Sequence, residues 1–292
     1  MGRIPGALGV DRHTDDPAGV GRVPLGREIR QEDRQVEAKW ITWYHCPRKE
    51  RGGKRNLITL IVDADDTLWE NNIYYNRAVA DFAALMTTLG FERGEAERTV
   101  HQVEQERVPV VGYGPDEFVN SLVVAYERLC ARYGASPTDE VAAHVRQIGE
   151  TVLRYPIVLL DGVAETLVHL KAQNSFRLLL LTKGDPAVQR DKLERSRLAP
   201  YFDGVHVVPE KDATVLQELV AQYGLAPDRT WMVGNSPRSD INTAVEAGIG
   251  AVYVPHPDTW NLELEEVAVS DRVVVIERFA DLIPLFTTQE SR

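Results

Sequence analysis

Leu57-Ile58-Thr59-Leu60-Ile61-Val62-Asp63-Ala64-Asp65-Asp66-Thr67-Leu68-Trp69 is an apolar, β-branched run that stops abruptly in three carboxylates and a threonine. A run this short spells a buried strand rather than a helix. Charges at the tip of a buried strand are costly to desolvate, and a cation is the simplest thing to offset that cost. In open α/β sheets ligands bind beyond the carboxyl ends of the strands. Asp63 and Asp65 are therefore the first candidates for chemistry, set against the plainer reading of a strand followed by an Asp-rich turn.

Outward from this stretch the periodicity changes. Residues 73–89 carry apolar or aromatic side chains at 75, 79, 82, 85, 86 and 89, a helical period. A polar helix over 95–107 is expected to break at Pro109 and the Gly112-Tyr113-Gly114-Pro115 cluster. Helices over 116–133 and from Pro137 to about residue 153 follow, with Gly134 between them as a C-cap. Four helices with short links read as a small bundle.

Beyond Pro156 helices and strands alternate, with strands over 176–181, 205–208, 230–233, 251–254 and 272–276. Such alternation implies a parallel sheet covered on both faces. The expected architecture is a Rossmann-like, three-layer α/β/α core, formed by residues 57–70 and 157–292. The helical bundle, residues 71–156, is inserted after the first strand.

The upstream segment, residues 1–56, is rich in Gly, Pro, Arg and Asp and shows no sustained period. It is expected to be disordered or an overextended gene start. Its aromatic patch, residues 40–44, could pack on the body or form a short strand. No Met lies between Met1 and Met86, so a shorter start would need an alternative start codon.

Charge and composition narrow the function. The formal charge is −11, with residues 1–56 holding 12 Lys/Arg against 8 Asp/Glu and the remainder 21 against 36. So acidic a body is a poor polyanion binder, which disfavours nucleic acid. No stretch approaches the ~20 apolar residues of a membrane span, so no membrane partner is expected. Cys46 and Cys130 lie far apart in no metal-ligand pattern, which suits a reducing cytoplasm. The seven histidines show no zinc-hydrolase spacing.

Four strand ends stand out: Asp63/Asp65/Thr67, Thr182/Lys183, Lys211 and Asn235/Asp240. In a parallel sheet they share one rim. Together they make coherent chemistry. A carboxylate can take a phosphoryl group. A divalent cation offsets the repulsion between that carboxylate and phosphate. A lysine and a hydroxyl hold the phosphoryl oxygens, and a second carboxylate moves the proton. Singly, each has an ordinary explanation: Thr182 as a strand-end hydroxyl, Lys211 as a solvated lysine, Asp240 as an N-cap, Asn235 as a turn residue.

The set resembles the haloacid dehalogenase-like (HAD) hydrolase superfamily. Asp63-x-Asp65-x-Thr67 resembles its first motif and Leu181-Thr182 its second. Lys211 resembles the third, and Gly234-Asn-Ser-x-x-x-Asp240 the fourth. The inserted helices resemble the helical cap of the subgroup with phosphoglycolate phosphatases, β-phosphoglucomutase and nucleotide phosphatases. The resemblance implies that Asp63 is the nucleophile and a Mg²⁺ ligand. It makes Asp65 the general acid/base and a Mg²⁺ ligand through its backbone carbonyl, with Thr67 orienting Asp65. Thr182 and Lys211 would bind the phosphoryl group, and Asn235 and Asp240 would complete the metal site.

Two positions depart from the pattern. Asn235 stands where the family often has Asp, one negative charge fewer. Lys183 follows Thr182 where small or amide residues are common, and reads either as a further cation beside the phosphate or as a solvated loop lysine. Gly184 lies beside it. Glu70, Asn71 and Asn72 could face the site, and Tyr113 and Phe118 could reach over it or simply pack within the bundle.

Asp65 favours an oxygen leaving group, because a departing halide needs no proton. The implied activity is a Mg²⁺-dependent phosphatase acting on a small phosphorylated metabolite through an aspartyl-phosphate, as a monomer or homodimer. A phosphomutase uses the same residues with another acceptor, and a non-catalytic binding or scaffold protein is the reading of a different class.

Overall fold

The computed structural model describes the backbone of residues 41–45 and the whole of residues 57–287. The expectations for the rest of residues 1–56 fall outside the described residues. The aromatic patch forms a strand, β1 (Ile41–His45).

After β2 (Ile58–Val62) come four helices: α1 (Asn72–Thr88), α2 (Arg93–Val111), α3 (Pro115–Arg132) and α4 (Asp139–Glu150). The alternating part follows as α5 (Val163–Ala172), β3 (Phe176–Lys183), α6 (Pro186–Ser196), β4 (Gly204–Val208) and α7 (Ala213–Tyr223). It ends with β5 (Thr230–Gly234), α8 (Thr243–Glu246), β6 (Gly250–Tyr253), β7 (Val273–Val275) and α9 (Leu282–Thr287).

The described strands form one sheet in the order β1-β4-β3-β2-β5-β6-β7. β1 runs antiparallel on the edge of β4, and the other pairs are parallel. The chain winds outward from β2 through β3 to β4, then returns to the other side of β2 with β5. That reversal makes the carboxyl end of β2 the switch point of the sheet, the place where such folds open a crevice.

Side-chain alternation sorts the strands onto two buried faces. Leu60, Val62, Leu178 and Leu180 pack with Leu167 of α5 and Phe286 of α9. Ile61, Leu179, Leu181 and Met232 pack on the opposite face with Leu216 and Leu219 of α7. Polar groups that leave this double-sided core do so at the strand ends.

The four inserted helices own a separate core of Phe82, Met86, Leu122, Leu129 and Val145. Helix α4 lies close on α3 at Gly149, where a Cβ would sit 2.9 Å from Val119 Cγ2. Helix α2 runs through Pro109 instead of ending before it. The ring removes one intrahelical hydrogen bond, and the helix ends three residues later at Gly112, with φ 82°. The helix after β5 begins as a wide π-type turn over Pro237–Asn242 that runs into α8. No helix among the described residues is long and apolar enough to cross a membrane.

Leu122 is fully buried in the insert. Leu122→Ala is expected to destabilise the protein by about 2–5 kcal/mol, the usual range for a buried leucine. Urea unfolding followed by circular dichroism checks this, and an unchanged midpoint would contradict the packing described.

Candidate active site

Asp63 is the first residue past β2. Its backbone N–H bonds Val233 O of β5 at 2.9 Å, so its position is fixed by the sheet. The chain then turns tightly through Asp66, whose φ of 59° is left-handed. Lys211 lies past β4, Thr182 near the end of β3, and Asn235 directly after β5. Asp63, Thr67, Thr182, Lys211, Asn235 and Asp240 are all buried.

The centre is a carboxylate–ammonium–carboxylate bridge. Lys211 Nζ donates to Asp63 Oδ1 at 2.6 Å and also to Asp240 Oδ1. Asp240 Oδ2 accepts the Ser236 N–H at 3.0 Å. Gly234 makes room for it, since a Cβ there would come within 2.2 Å of Asp240 Oδ2.

One ammonium between two buried carboxylates leaves an excess negative charge. Burial, with Asp240 and Asp65 nearby, pushes the Asp63 carboxyl up to about 7 despite Lys211. For Lys211 burial works the other way, but Asp240 and Asp63 outweigh it and keep the amine protonated. This excess charge, with the Asn235 carbonyl oxygen beside it, is a hard-oxygen donor set of the kind Mg²⁺ takes. The residues therefore fit the cation that the motifs imply.

Thr67 differs from its expected role. Its Oγ1 lies 3.2 Å from both Asp63 Oδ2 and Asn235 Oδ1, and accepts the Asn235 N–H at 3.1 Å. It orients Asp63 and Asn235, not Asp65, because the tight turn carries it back over β2.

Asp65 is instead held by Trp69 Nε1 at 2.7 Å, Gln189 Nε2 at 2.9 Å and Lys192 Nζ at 2.9 and 3.0 Å. Burial would raise its carboxyl, but the Lys192 ammonium and these hydrogen bonds prevail and hold it below the usual value. Lys192 also donates to Asn71 Oδ1 at 2.7 Å.

Asp66 does more than fill the turn. Its carboxylate accepts the N–H groups of Asn71 and Asn72 at 2.8 and 3.0 Å, which caps the start of α1. Burial raises it to about 8.

Lys183 is not turned to solvent. It pairs with Glu263, with Glu210 at 3.3 Å, and lies 4.5 Å over the Tyr113 ring. Its charge is thus engaged by two carboxylates. Glu263 also receives Ser236 and Ser239, and although burial opposes it, Lys183 and these bonds hold it down to about 2. Tyr113 donates to Glu210 Oε2 at 2.6 Å and meets Trp260 edge-on, so the insert reaches the α/β part here. Gly184, with φ 126°, donates its N–H to Val208 O at 3.0 Å.

Asp63, Asp65, Asn71, Tyr113, Thr182, Lys183, Gly184, Lys211 and Asn235 all line one cleft between the insert and the sheet rim. Glu70 does not line it. The Glu70 carboxylate faces His256 Nε2 at 3.4 Å, because the strand-like pairing of Trp69 with Leu159 turns it away. Asp66, Glu70 and His256 form a group spaced for a cation. The Asp66 oxygens there already accept backbone N–H groups.

A model of the haloacid dehalogenase-like hydrolase family matches residues 59–248. The chain belongs to that family. The HAD motifs fall on the rim just described. This HAD chain is 32% identical over 159 residues to phosphoserine phosphatase of Thermus thermophilus, covering 44% of this chain and 64% of that protein. It is 23% identical over 206 residues to human N-acylneuraminate-9-phosphatase, covering 68% and 82% respectively. With the mouse N-acylneuraminate-9-phosphatase it shares 33% identity over 100 residues, 32% of this chain and only 40% of that protein. The chain thus spans 40–64% of the length of some of the curated relatives it matches. A haloacid dehalogenase-like hydrolase structure from Xanthomonas campestris superposes with TM-score 0.67 at 26% identity, over 82% of this chain and 95% of that one.

The raised carboxyls have a consequence for stability. Between about pH 4 and the folded values of about 7 and 8 for Asp63 and Asp66, the folded state keeps protons that the unfolded chain has lost. Stability then falls as pH rises. His101, raised by its bond to Glu104, acts in the same direction. With chelator present, the melting temperature is expected to drop between pH 5 and 8, by roughly 2–4 °C per kcal/mol lost. Asp63→Asn should flatten that slope. A melting temperature that rises over this range would contradict the assignment.

Proposed function

We propose that the protein hydrolyses the phosphate monoester of a small metabolite, with Mg²⁺ as cofactor and an aspartyl-phosphate on Asp63 as the intermediate. The observation that carries this reading is the buried Asp63 carboxylate, 2.6 Å from the Lys211 ammonium and open to the cleft. The phosphatase names of the relatives support it in kind.

Asp63 attacks phosphorus as the ester P–O bond breaks, and the electron pair leaves with the alcohol oxygen. Asp65 gives that oxygen its proton. Water then returns a proton to Asp65 as its own oxygen attacks phosphorus, which releases inorganic phosphate and restores Asp63. Thr182 and Lys211 hold the phosphoryl oxygens as charge builds. Asp63, Asp240, the Asn235 side-chain carbonyl and the Asp65 backbone carbonyl would hold Mg²⁺, whose charge would offset the repulsion of carboxylate and phosphate.

Lys192 sets a condition on this cycle. It keeps Asp65 ionised at rest, so Asp65 must part from Lys192 and take a proton from solvent before it can act as the acid; the hydrolytic water then restores that proton for the next turnover. The substrate's leaving oxygen competes for that place.

The helical insert acts as the cap. Tyr75, Arg107, Tyr113 and Phe118 are among the residues it contributes to the cleft wall. A wall of this kind favours small molecules over phosphoproteins. The cytoplasmic setting rests on cysteine usage, and a monomer or homodimer suffices because the site is built within one chain.

p-Nitrophenyl phosphate should be turned over in Mg²⁺, and Asp63→Asn should abolish it. On an alkyl phosphate, Asp65→Asn should lower kcat by about 10²–10⁴, the usual worth of a general acid. A screen of phosphorylated metabolites then finds the substrate. Turnover retained in Asp63→Asn would contradict the mechanism.

A further inference from the structure

Asn235 sits in a chain of hydrogen bonds that runs in one direction. Thr259 donates its Oγ1 proton to His256 O at 2.9 Å. With that proton committed, the same oxygen acts as acceptor, and Asn235 Nδ2 donates to it at 2.9 Å. The amide is thereby oriented: nitrogen to Thr259, Oδ1 to the Thr67 hydroxyl at 3.2 Å. The Thr67 oxygen in turn receives the Asn235 backbone N–H, and the same hydroxyl reaches Asp63. All three side chains are buried, with Thr259 8% exposed, so water does not compete for these bonds.

Thr259 is itself held firmly. Its N–H bonds His256 O at 3.1 Å. The neighbouring Asp258 receives Asn72 Nδ2 at 2.6 Å on its carbonyl and Asn76 Nδ2 at 2.8 Å on its carboxylate. The loop after β6 is therefore tied to α1 of the insert on one side and to Asn235 on the other.

A carboxylate at position 235 would offer Thr259 an acceptor where the amide offers a donor. Either that contact or the Thr259–His256 bond would be lost. Thr259 is thus matched to asparagine at this position.

We propose that Thr259 is a positioning residue for the metal site: it turns the Asn235 carbonyl oxygen toward the Thr67 hydroxyl that also meets Asp63, so that orientation compensates for the missing negative charge. This rests on the reading that Mg²⁺ binds between Asp63, Asn235 and Asp240. Without Thr259 the amide is free to rotate, and its NH₂ end would then repel the cation.

The test is calorimetric titration of Mg²⁺ into the full-length protein, with melting temperatures recorded alongside. Thr259→Val removes the acceptor and keeps the shape, and should weaken Mg²⁺ binding about tenfold, the low end for a group that orients a ligand. Thr259→Ser should restore binding to near wild type. Asn235→Ala should weaken it at least as much as Thr259→Val. Should the valine variant not fold, Thr259→Ala gives the same comparison. Unchanged binding in Thr259→Val with weakened binding in Asn235→Ala overturns this inference and leaves the metal reading standing. A serine variant as weak as the valine one also overturns it. No Mg²⁺ binding by the wild-type protein, or unchanged binding in Asn235→Ala, removes the metal reading at this position and the inference with it.

Discussion

Two buried carboxylates share one lysine at the edge of the cleft, and the rest of the site depends on that bridge. Lys211 bonds both Asp63 and Asp240, and all three side chains are buried. Such a group is stable only when its geometry is held from every side. The sheet supplies this: Asp63 is pinned by its N–H to β5, Asp240 by the Ser236 N–H, and Gly234 leaves the space that Asp240 fills. The balance is still one negative charge in excess. Burial expresses that excess as an Asp63 carboxyl raised to about 7.

A second layer of contacts ties the helical insert to this rim. Asp66 caps α1 from the turn that also carries Asp65 and Thr67. The loop after β6 meets α1 through Asp258 and meets Tyr113 through Trp260. Lys183 gathers Glu263 and Glu210 under the Tyr113 ring. The insert is therefore attached to the groups that surround Asp63 both at the start of α1 and at Tyr113.

The strand tips were legible in the sequence because each ends a buried run with a polar group that a strand interior cannot hold. Asp63, Thr182, Lys211 and Asn235 share that signature, and a parallel sheet brings them to one rim. The partners of those groups were not legible. Lys192 and Gln189 lie on a mostly polar helix, α6, where no period distinguishes a lysine that reaches Asp65 from one in water. Thr259 lies on an irregular loop far along the chain and Glu263 on the single 3-10 turn that follows it, with no regular spacing to mark them. Thr67 bonds Asp63 and Asn235 where the resemblance implies Asp65, because the spacing of the motif does not show which way a tight turn returns. The edge strand β1 was only one of two readings of an aromatic patch, since its partner β4 lies some 160 residues away.

The central claim is that Asp63 takes the phosphoryl group. It is tested most directly by mixing enzyme, Mg²⁺ and a phosphate ester, quenching in acid within a single turnover, and mapping the phosphoryl group by peptide mass spectrometry. The expected result is a phosphorylated peptide containing residues 57–69, with the group on the Asp63 side chain. Turnover without a phosphorylated peptide, or phosphate on any other residue, would contradict it.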